Sequence, residues 1–238
     1  MTSKTIVVAP HPDDEIFGVG GTLLRRKAEG AKTAWLMMTA ISADSGWSES
    51  KVAERADEIE RITELLGFDE VYTCNFPPAK LDIVPMSDLV ARISDIFKSF
   101  EPDEVFVPHL SDAHTDHGVV FKAATACTKW FRHSSVMRVL AYETISETDF
   151  GLGADSGFRP NVFVDIEQFL DAKLRAMEVY SSELGVFPFP RNHETIKALA
   201  TLRGAASGFK AAEAFQLLRE RWPMSCRANG RNYDCRRP

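Results

Sequence analysis

Short apolar runs alternate with amphipathic segments through the first 142 residues, and this alternation restricts the possible fold more than any other feature. The run Ile6-Val7-Val8-Ala9 is typical of a buried strand. The segment from Glu49 to Leu66 carries apolar residues at helical spacing, and Gly67 ends it. Because parallel strands need crossovers of a dozen residues or more, which such helices supply, the sequence predicts an α/β fold with a mostly parallel sheet.

This half of the chain predicts a Rossmann-like, doubly wound sheet with the core order 3-2-1-4-5 and helices on both faces. Its strands are predicted over residues 6–9, 33–39, 71–73, 105–107 and 136–142. Its helices are predicted over residues 17–29, 49–66, from an N-cap at Ser87 to Phe100, and over about 119–131.

A C-terminal α/β extension of the same domain is expected after residue 144. It contains a predicted strand at 162–165 and predicted helices over about 167–180, 194–202 and 210–221. A chain of 238 residues buries enough surface for one large core, so we expect a single domain over residues 1–222. Residues 223–238 lack apolar periodicity and contain several arginines, which predicts a basic, loosely held tail.

The net charge and the cysteine pattern weigh against several classes of protein. A formal net charge of −6 argues against a general nucleic-acid binder, which would present a basic face. The four cysteines include no CxxC pair, so neither a disulfide framework nor a thiolate zinc site is expected. The sequence has neither a signal-peptide core nor a run of 18 apolar residues. We therefore expect a soluble cytoplasmic protein without a membrane span.

The reactive side chains concentrate in two loops, 10–15 and 108–117. In open α/β sheets, ligands bind beyond the carboxyl ends of the strands, where the strand order reverses. Strands one and four meet at this point in the predicted order, and these two loops follow them. Together the loops contain four of the six histidines of the chain, namely His11, His109, His114 and His117.

The residue types in these loops suit a metal ion. Imidazole nitrogen and carboxylate oxygen together favour Zn²⁺, and a catalytic zinc takes three protein ligands and a water. His11 and Asp14 lie three residues apart in a tight turn, and a third ligand from the loop 108–117 would complete a His₂Asp site. Asp13 would lie beside this site as a base. The alternative is that Asp13 and Asp14 only cap a helix, which the second cluster of His and Asp makes less favourable.

The glycines that follow the first loop do not form a dinucleotide-binding motif. In a GxGxxG pattern that begins at Gly18 and Gly20, the third glycine would fall at Leu23. The run also lies inside the predicted helix and not at the turn between strand and helix. Close packing of this helix against the sheet is the better interpretation.

The sequence resembles the LmbE/PIG-L family of zinc-dependent N-acetyl-sugar deacetylases. The family's motif (A/P)HPDDE matches residues 10–15, and its motif HxDH, with an Asp two residues upstream, matches Asp112 and residues 114–117. Less specific similarities to the family continue through the second half of the chain, so the resemblance covers about residues 4–222.

The resemblance implies one zinc ion per chain, for which another divalent metal could substitute. It implies that His11, Asp14 and His117 are the ligands. It also implies that Asp13 is the general base that activates a zinc-bound water.

The resemblance further implies that His114 faces the developing oxyanion, with Asp116 orienting its ring and favouring the imidazolium. Either Asp13 or His114 would then protonate the leaving amine. Glu15 is expected to brace the first loop from behind the ligands. Asp112 is expected to position the second loop or His114.

Substrate contacts are implied at Arg55 and Asp82, which are the candidates for binding sugar hydroxyl groups. The implied activity is a hydrolase that removes the acetyl group from an N-acetylated amino sugar, such as an N-acetylglucosamine-type conjugate. The partners would be this small molecule and further copies of the chain in a homo-oligomer. Two alternatives remain: a metal-dependent phosphoesterase, and an inactive metal-containing sugar-binding module.

Overall fold

Five parallel strands form the larger part of the central sheet. The computed structural model describes residues 2–152, 157–223, 226–228 and 231–233. The parallel strands are β1 (Lys4–Ala9), β2 (Lys32–Thr39), β3 (Glu70–Phe76), β4 (Glu104–Pro108) and β5 (Arg138–Tyr142). They lie in the order β3-β2-β1-β4-β5, as predicted.

Helices cover both faces of this sheet. They are α1 (Asp14–Ala28), α2 (Glu49–Leu66), α3 (Met86–Phe100), α4 (Thr115–Ala126), α5 (Leu170–Met177) and α6 (His193–Ala205). The side chains of α1, α2, α5 and α6 pack in one hydrophobic core, and those of α3 and α4 pack in the other. Strand residues facing the two cores, such as Val7 and Val8, are fully buried, which explains their continuous apolar runs.

The prediction of a helix over residues 210–221 is wrong. This segment is the strand β7 (Ala212–Glu220), which runs antiparallel between β5 and β6 (Val162–Asp165) and gives the complete order β3-β2-β1-β4-β5-β7-β6. Phe215 and Leu217 pack in one core and Leu218 packs in the other. Burial on both faces removes the alternation that marks a strand, and this tertiary packing overrides the helix propensity of Ala, Leu, Gln, Glu and Arg.

Several helix boundaries also differ from the prediction. The helix α3 begins after Pro85, not at an N-cap on Ser87, and proline's fixed φ suits this position. The helix α4 covers 115–126 and so begins and ends several residues before its predicted bounds. The segment 167–180 is divided into a 3₁₀ turn, α5 and a second 3₁₀ turn.

Within the predicted tail, the structure describes a short antiparallel hairpin of β8 (Cys226–Ala228) and β9 (Arg231–Tyr233). Residues 224–225, 229–230 and 234–238, on which the rest of that prediction falls, lie outside the described residues. Over the described part of the chain, no helix has the length and apolar character required to cross a bilayer.

The glycine run lets α1 approach its neighbours closely, which confirms the packing interpretation. A Cβ atom at Gly18 would overlap the ring of Tyr142 on β5. A Cβ atom at Gly21 would lie 2.8 Å from Ile166 Cδ1. The start of α1, which carries part of the first loop, is thereby fixed against the sheet.

Candidate active site

The loops after β1 and β4 meet at the carboxyl ends of these neighbouring strands. The first loop enters α1 at Asp14, and the second enters α4 at Thr115. Parallel pairing of β1 with β4 puts the two loops side by side. The sequence motifs of both loops therefore form one cluster.

Three predicted ligands, His11, Asp14 and His117, converge in this cluster. His11 Nδ1 lies 3.4 Å from Asp14 Oδ2, and His117 Nε2 lies 3.3 Å from Asp14 Oδ1. One ligand atom from each residue lies within 4.8 Å of the other two. Two imidazoles and one carboxylate fit the donor preference of zinc.

A second group, His11, His114 and Asp116, meets the same distance criterion. Its carboxylate is already occupied, because Asp116 accepts hydrogen bonds from the backbone N–H groups of Ala79 and Leu81 at 2.7 and 3.1 Å. One of its oxygens also lies 3.0 Å from His11 Nε2. Asp116 therefore holds the ring of His11 and the backbone at Ala79 and Leu81. The group of His11, Asp14 and His117 is the better candidate for a metal site.

Each histidine of the favoured group has a carboxylate on its far ring nitrogen. Asp112 Oδ2 lies 2.7 Å from His117 Nδ1, and Asp116 lies behind His11. Such carboxylate–histidine pairs fix the orientation and tautomer of metal-binding imidazoles. Asp112 therefore contacts a residue of the second loop itself, which is one of its two expected roles. The predicted partner of Asp116 is corrected, because its side chain contacts His11 and makes no hydrogen bond to His114 among the described residues.

The charges in the cluster raise the pKa of both histidines. Burial lowers the pKa of His11, but its hydrogen bonds to Asp116 and Asp14 more than offset this and raise it to about 9. Burial also lowers the pKa of His117, and the charge of Asp14 and the hydrogen bond to Asp112 raise it to about 10. The surroundings of both rings therefore favour positive charge.

The pKa of His114 is shifted in the direction opposite to the one expected for an imidazolium. Burial and the nearby His11 lower its pKa, and the charge of Asp116 opposes them without prevailing. The neutral ring is therefore favoured over the predicted imidazolium. Because His114 Nδ1 accepts a hydrogen bond from the backbone N–H of Asp116 at 3.1 Å, the proton of the neutral ring is on Nε2.

Asp13 occupies a strained backbone conformation beside the cluster. Its φ is 141°, and its side chain makes no capping hydrogen bond although it precedes α1, so the capping alternative is not supported for this residue. Glu15 Oε2 accepts from the backbone N–H of Asp13 at 2.9 Å, and the Tyr180 hydroxyl donates to Glu15 Oε1 at 3.0 Å. Glu15 therefore makes the bracing contact that was expected of it.

Arg191 completes the site and was missed at the sequence level. Its Nη1 donates to Asp13 Oδ2 at 2.9 Å, and its Nε donates to Ser146 Oγ at 2.8 Å. Burial and the charge of Asp14 raise the pKa of Asp13 to about 7, against the opposing charge of Arg191. The only signal in the sequence is a Pro-rich turn before a helix, and that turn carries Arg191 to Asp13.

The predicted substrate contacts differ in their positions. Arg55 lines a cleft of about 240 Å³ that opens beside His11, Asp13 and His114. Asp82 is exposed in the 3₁₀ turn Leu81–Ile83 and is not among the residues that line this cleft, so its predicted contact is not supported. The contribution of this turn is instead the backbone N–H of Leu81 that holds Asp116.

The cleft has a charged part and an apolar part. Besides Asp13 and Arg55, its charged lining includes Glu147, Glu183 and Arg191. Its apolar lining consists of Pro12, Ala40, Ile41, Trp47, Pro78 and Ala79. Trp47, Glu147 and Glu183 were not marked by any sequence motif, because they come from separate connections of the fold.

Comparison with protein families identifies the relationship. A model described as "GlcNAc-PI de-N-acetylase" (PIG-L) matches residues 6–128, which is more than half of the 238 residues. The chain belongs to the PIG-L family. Relatives of this chain are named as deacetylases, which are hydrolases that act on N-acetyl groups.

Individual relatives match most of the chain. A diacetylchitobiose deacetylase from Thermococcus kodakarensis is 23% identical, over 90% of this chain and 83% of the relative. A probable N-acetyl-α-D-glucosaminyl L-malate deacetylase from Bacillus anthracis is 22% identical, over 75% and 80%. The solved structure of a conserved protein from Thermus thermophilus has a TM-score of 0.74 and 29% identity, and the match covers 96% of this chain and 100% of that one.

Proposed function

We propose that this chain is a metal-dependent hydrolase that removes the acetyl group from an N-acetylated amino sugar. The observation that carries the proposal is the convergence of His11, Asp14 and His117 beside a cleft that also contains the Asp13 carboxylate. Membership in a deacetylase family gives the reaction class. An N-acetylglucosamine-type conjugate is the favoured substrate, since relatives are named for such sugars.

One divalent ion per chain is assigned to His11, Asp14 and His117. Zinc is favoured by this donor set, although another divalent metal could substitute. When bound, the ion would polarise the acetyl carbonyl and lower the pKa of a water molecule to about 7. Asp112 and Asp116 would keep the two imidazoles oriented toward it.

Asp13 serves as the general base in this proposal. Its carboxylate accepts a proton from the attacking water, and the pKa of about 7 lets it return that proton to the leaving amine near neutral pH. Arg191 holds one oxygen of Asp13 in place. Since His114 is favoured in its neutral form, Asp13 is the better proton donor for the amine.

His114 serves as the hydrogen-bond donor to the oxyanion. Its ring lies beside His11, with the two centroids 4.5 Å apart, and its Nε2 proton is available because Nδ1 accepts from the backbone. A preorganised donor of this kind contributes about 2.7–4 kcal/mol in other acyl-transfer sites. Arg55 is retained as a residue of the sugar-binding cleft, and the homo-oligomer stays a prediction.

Acetate release from a panel of N-acetyl sugars tests the proposal. We expect release by the metal-loaded protein, loss of release on chelation and recovery when zinc is added back. Binding of the sugars without acetate release would indicate a sugar-binding module. Release of phosphate from phosphate esters, without acetate release, would indicate a phosphoesterase.

A further inference from the structure

Every donor nitrogen of Arg191 already has an acceptor within the protein. Besides its bonds to Asp13 and Ser146, Nη1 lies 3.4 Å from Glu183 Oε2 and Nη2 lies 3.3 Å from Glu147 Oε1. The guanidinium is largely buried and also packs over the ring of Phe17 at 5.0 Å. An anionic ligand would have to displace one of these acceptors to bind Arg191.

Arg55, the second arginine of the cleft, is occupied in the same way. Its Nη1 donates to the carbonyl of Pro12 at 3.0 Å, and its Nη2 donates to Glu183 Oε1 at 2.9 Å. Its Nε lies 3.2 Å from Glu58 Oε2. Glu183 thus binds both arginines and keeps both from an incoming anion.

The remaining charge in the cleft is unfavourable for an anionic substituent. Asp13, Glu147 and Glu183 line the cleft, against two arginines and no lysine among its described lining residues. The assigned metal adds positive charge only at its ligands, where Asp14 neutralises part of it. A carboxylate or phosphate placed farther along the cleft would face carboxylates of the protein.

The apolar lining offers a surface for a neutral sugar ring. Trp47 is 46% exposed and lines the cleft together with Ile41 and Pro78. A half-exposed indole has a large apolar face that can cover the C–H face of a ring while hydroxyl groups stay in water. The cleft volume of about 240 Å³ is below the range of about 300–1,000 Å³ of sites for drug-sized ligands, which suits one enclosed ring.

Resting on the proposed function, we infer that this site selects an uncharged N-acetyl sugar, whose ring stacks on Trp47, over sugars that carry a carboxylate or phosphate. N,N′-diacetylchitobiose belongs to the favoured class, and N-acetylglucosaminyl malate belongs to the disfavoured class. The selection arises from arginines that are saturated by Glu183, Glu147 and Asp13 and from the apolar wall around Trp47.

The first test compares these two compounds by acetate release on the metal-loaded protein and by direct binding to the chelated protein, which keeps all three carboxylates of the cleft. We expect kcat/KM and affinity to favour the chitobiose by at least about tenfold. Equal or better use of the malate compound would overturn the selectivity and leave the proposed function standing. Tighter binding of the chitobiose without any hydrolysis would support the selectivity and contradict the proposed function.

The second test changes the charge that saturates the arginines. Glu183→Gln removes one carboxylate and weakens the hold on Arg55 and Arg191, so the preference for the neutral compound should fall by about tenfold. Glu178→Gln, a matched change at an exposed glutamate outside the lining of the cleft, should leave the ratio unchanged. An unaltered ratio in the Glu183 variant would overturn the charge argument.

The third test addresses Trp47. Trp47→Ala should raise KM for the chitobiose by about tenfold with a smaller change in kcat, and Trp47→Phe should restore most of the loss. Trp130→Ala removes an indole that is 61% exposed and not part of the cleft lining, so it should behave as the unmodified chain. If the Trp47 and Trp130 variants behave alike, the ring does not stack on Trp47.

Discussion

Asp13 is held from three directions at once. Arg191 fixes one carboxylate oxygen, Glu15 fixes the backbone N–H, and the backbone itself lies in a strained region. Strain of this kind costs about 1–3 kcal/mol, and the surrounding hydrogen bonds offset it. The carboxylate therefore has a defined direction before a substrate arrives, which a flexible loop would not give it.

Replacing Asp13 separates metal binding from hydrolysis. Asp13→Asn should keep about one metal ion per chain and lose about 10²–10⁴-fold in kcat, because a general base contributes that much. His117→Ala should lose the metal itself, since it removes a ligand. Metal analysis and acetate release on the same preparations check both expectations, and full activity in the Asp13 variant would contradict the mechanism.

Arg191 should act through the position of Asp13. Arg191→Ala is expected to lower kcat by about 10²-fold, the cost of a misplaced reacting group, while the metal is retained. Low concentrations of guanidinium ion should restore part of kcat, because the ion can bind in the space that the side chain leaves. Arg203→Ala is the control, since Arg203 pairs with Glu143 outside this cleft. Guanidinium ion should not raise kcat in the Arg203 variant. If it also fails to raise kcat in the Arg191 variant, Arg191 does not act by positioning Asp13.

At the scale of elements, a buried ion pair makes hydrogen bonds to the backbone of α1. Lys173 donates to the carbonyl of Phe17 at 2.8 Å, and Glu213 accepts from the N–H of Gly21 at 2.8 Å. Lys173 and Glu213 also bond each other at 2.7 Å. The pair therefore joins α1 to α5, which carries Lys173, and to β7, which carries Glu213.

Breaking this pair should destabilise the fold strongly. Lys173→Met leaves the buried Glu213 without its partner, and we expect the free energy of unfolding to fall by about 3–5 kcal/mol. Lys210→Met breaks an exposed pair with Glu167 and should leave the free energy of unfolding nearly unchanged. Urea unfolding of both variants measures the difference, and equal midpoints would contradict this account of α1.

The local motifs predict much of the site. They do not predict the contacts between residues that are far apart in the sequence. His11, Asp14 and His117 are close in space because their loops follow neighbouring parallel strands, which the order of apolar runs indicates. Arg191 reaches Asp13 only because the second half of the chain folds back over α1, and no local spacing encodes that. The strand β7 was missed for the same reason: burial on both faces depends on partners far along the chain.

At the scale of the whole molecule, the candidate metal site links stability to pH. The pKa values of His11 and His117 are raised to about 9 and 10 without a metal, above the ordinary value of 6.5. Protonation of these rings therefore stabilises the metal-free fold fully below about pH 6.5, and this contribution is lost as pH rises toward 9–10. A bound metal would need neutral rings and would therefore replace these protons.

This linkage predicts how chelation changes thermal stability. The melting temperature of the chelated protein should fall as pH rises from about 7 to about 10, and it should fall less in His117→Gln, which lacks one of the titrating rings. Metal-loaded protein should melt at a higher temperature throughout, because the ion binds only the folded chain. If the melting temperature falls equally with pH in the chelated protein and in its His117 variant, the stabilising proton is not on His117.

The insertion of β7 into the sheet has a consequence for how the chain is made. The carboxylate that accepts from Gly21 and Thr22 belongs to Glu213, 192 and 191 residues farther along the sequence. Synthesis proceeds from the amino terminus, so α1 emerges from the ribosome long before the strand β7 that supplies Glu213. The helix α1 thus reaches its final hydrogen bonding only after β7, far along the chain, has been synthesised and has entered the sheet.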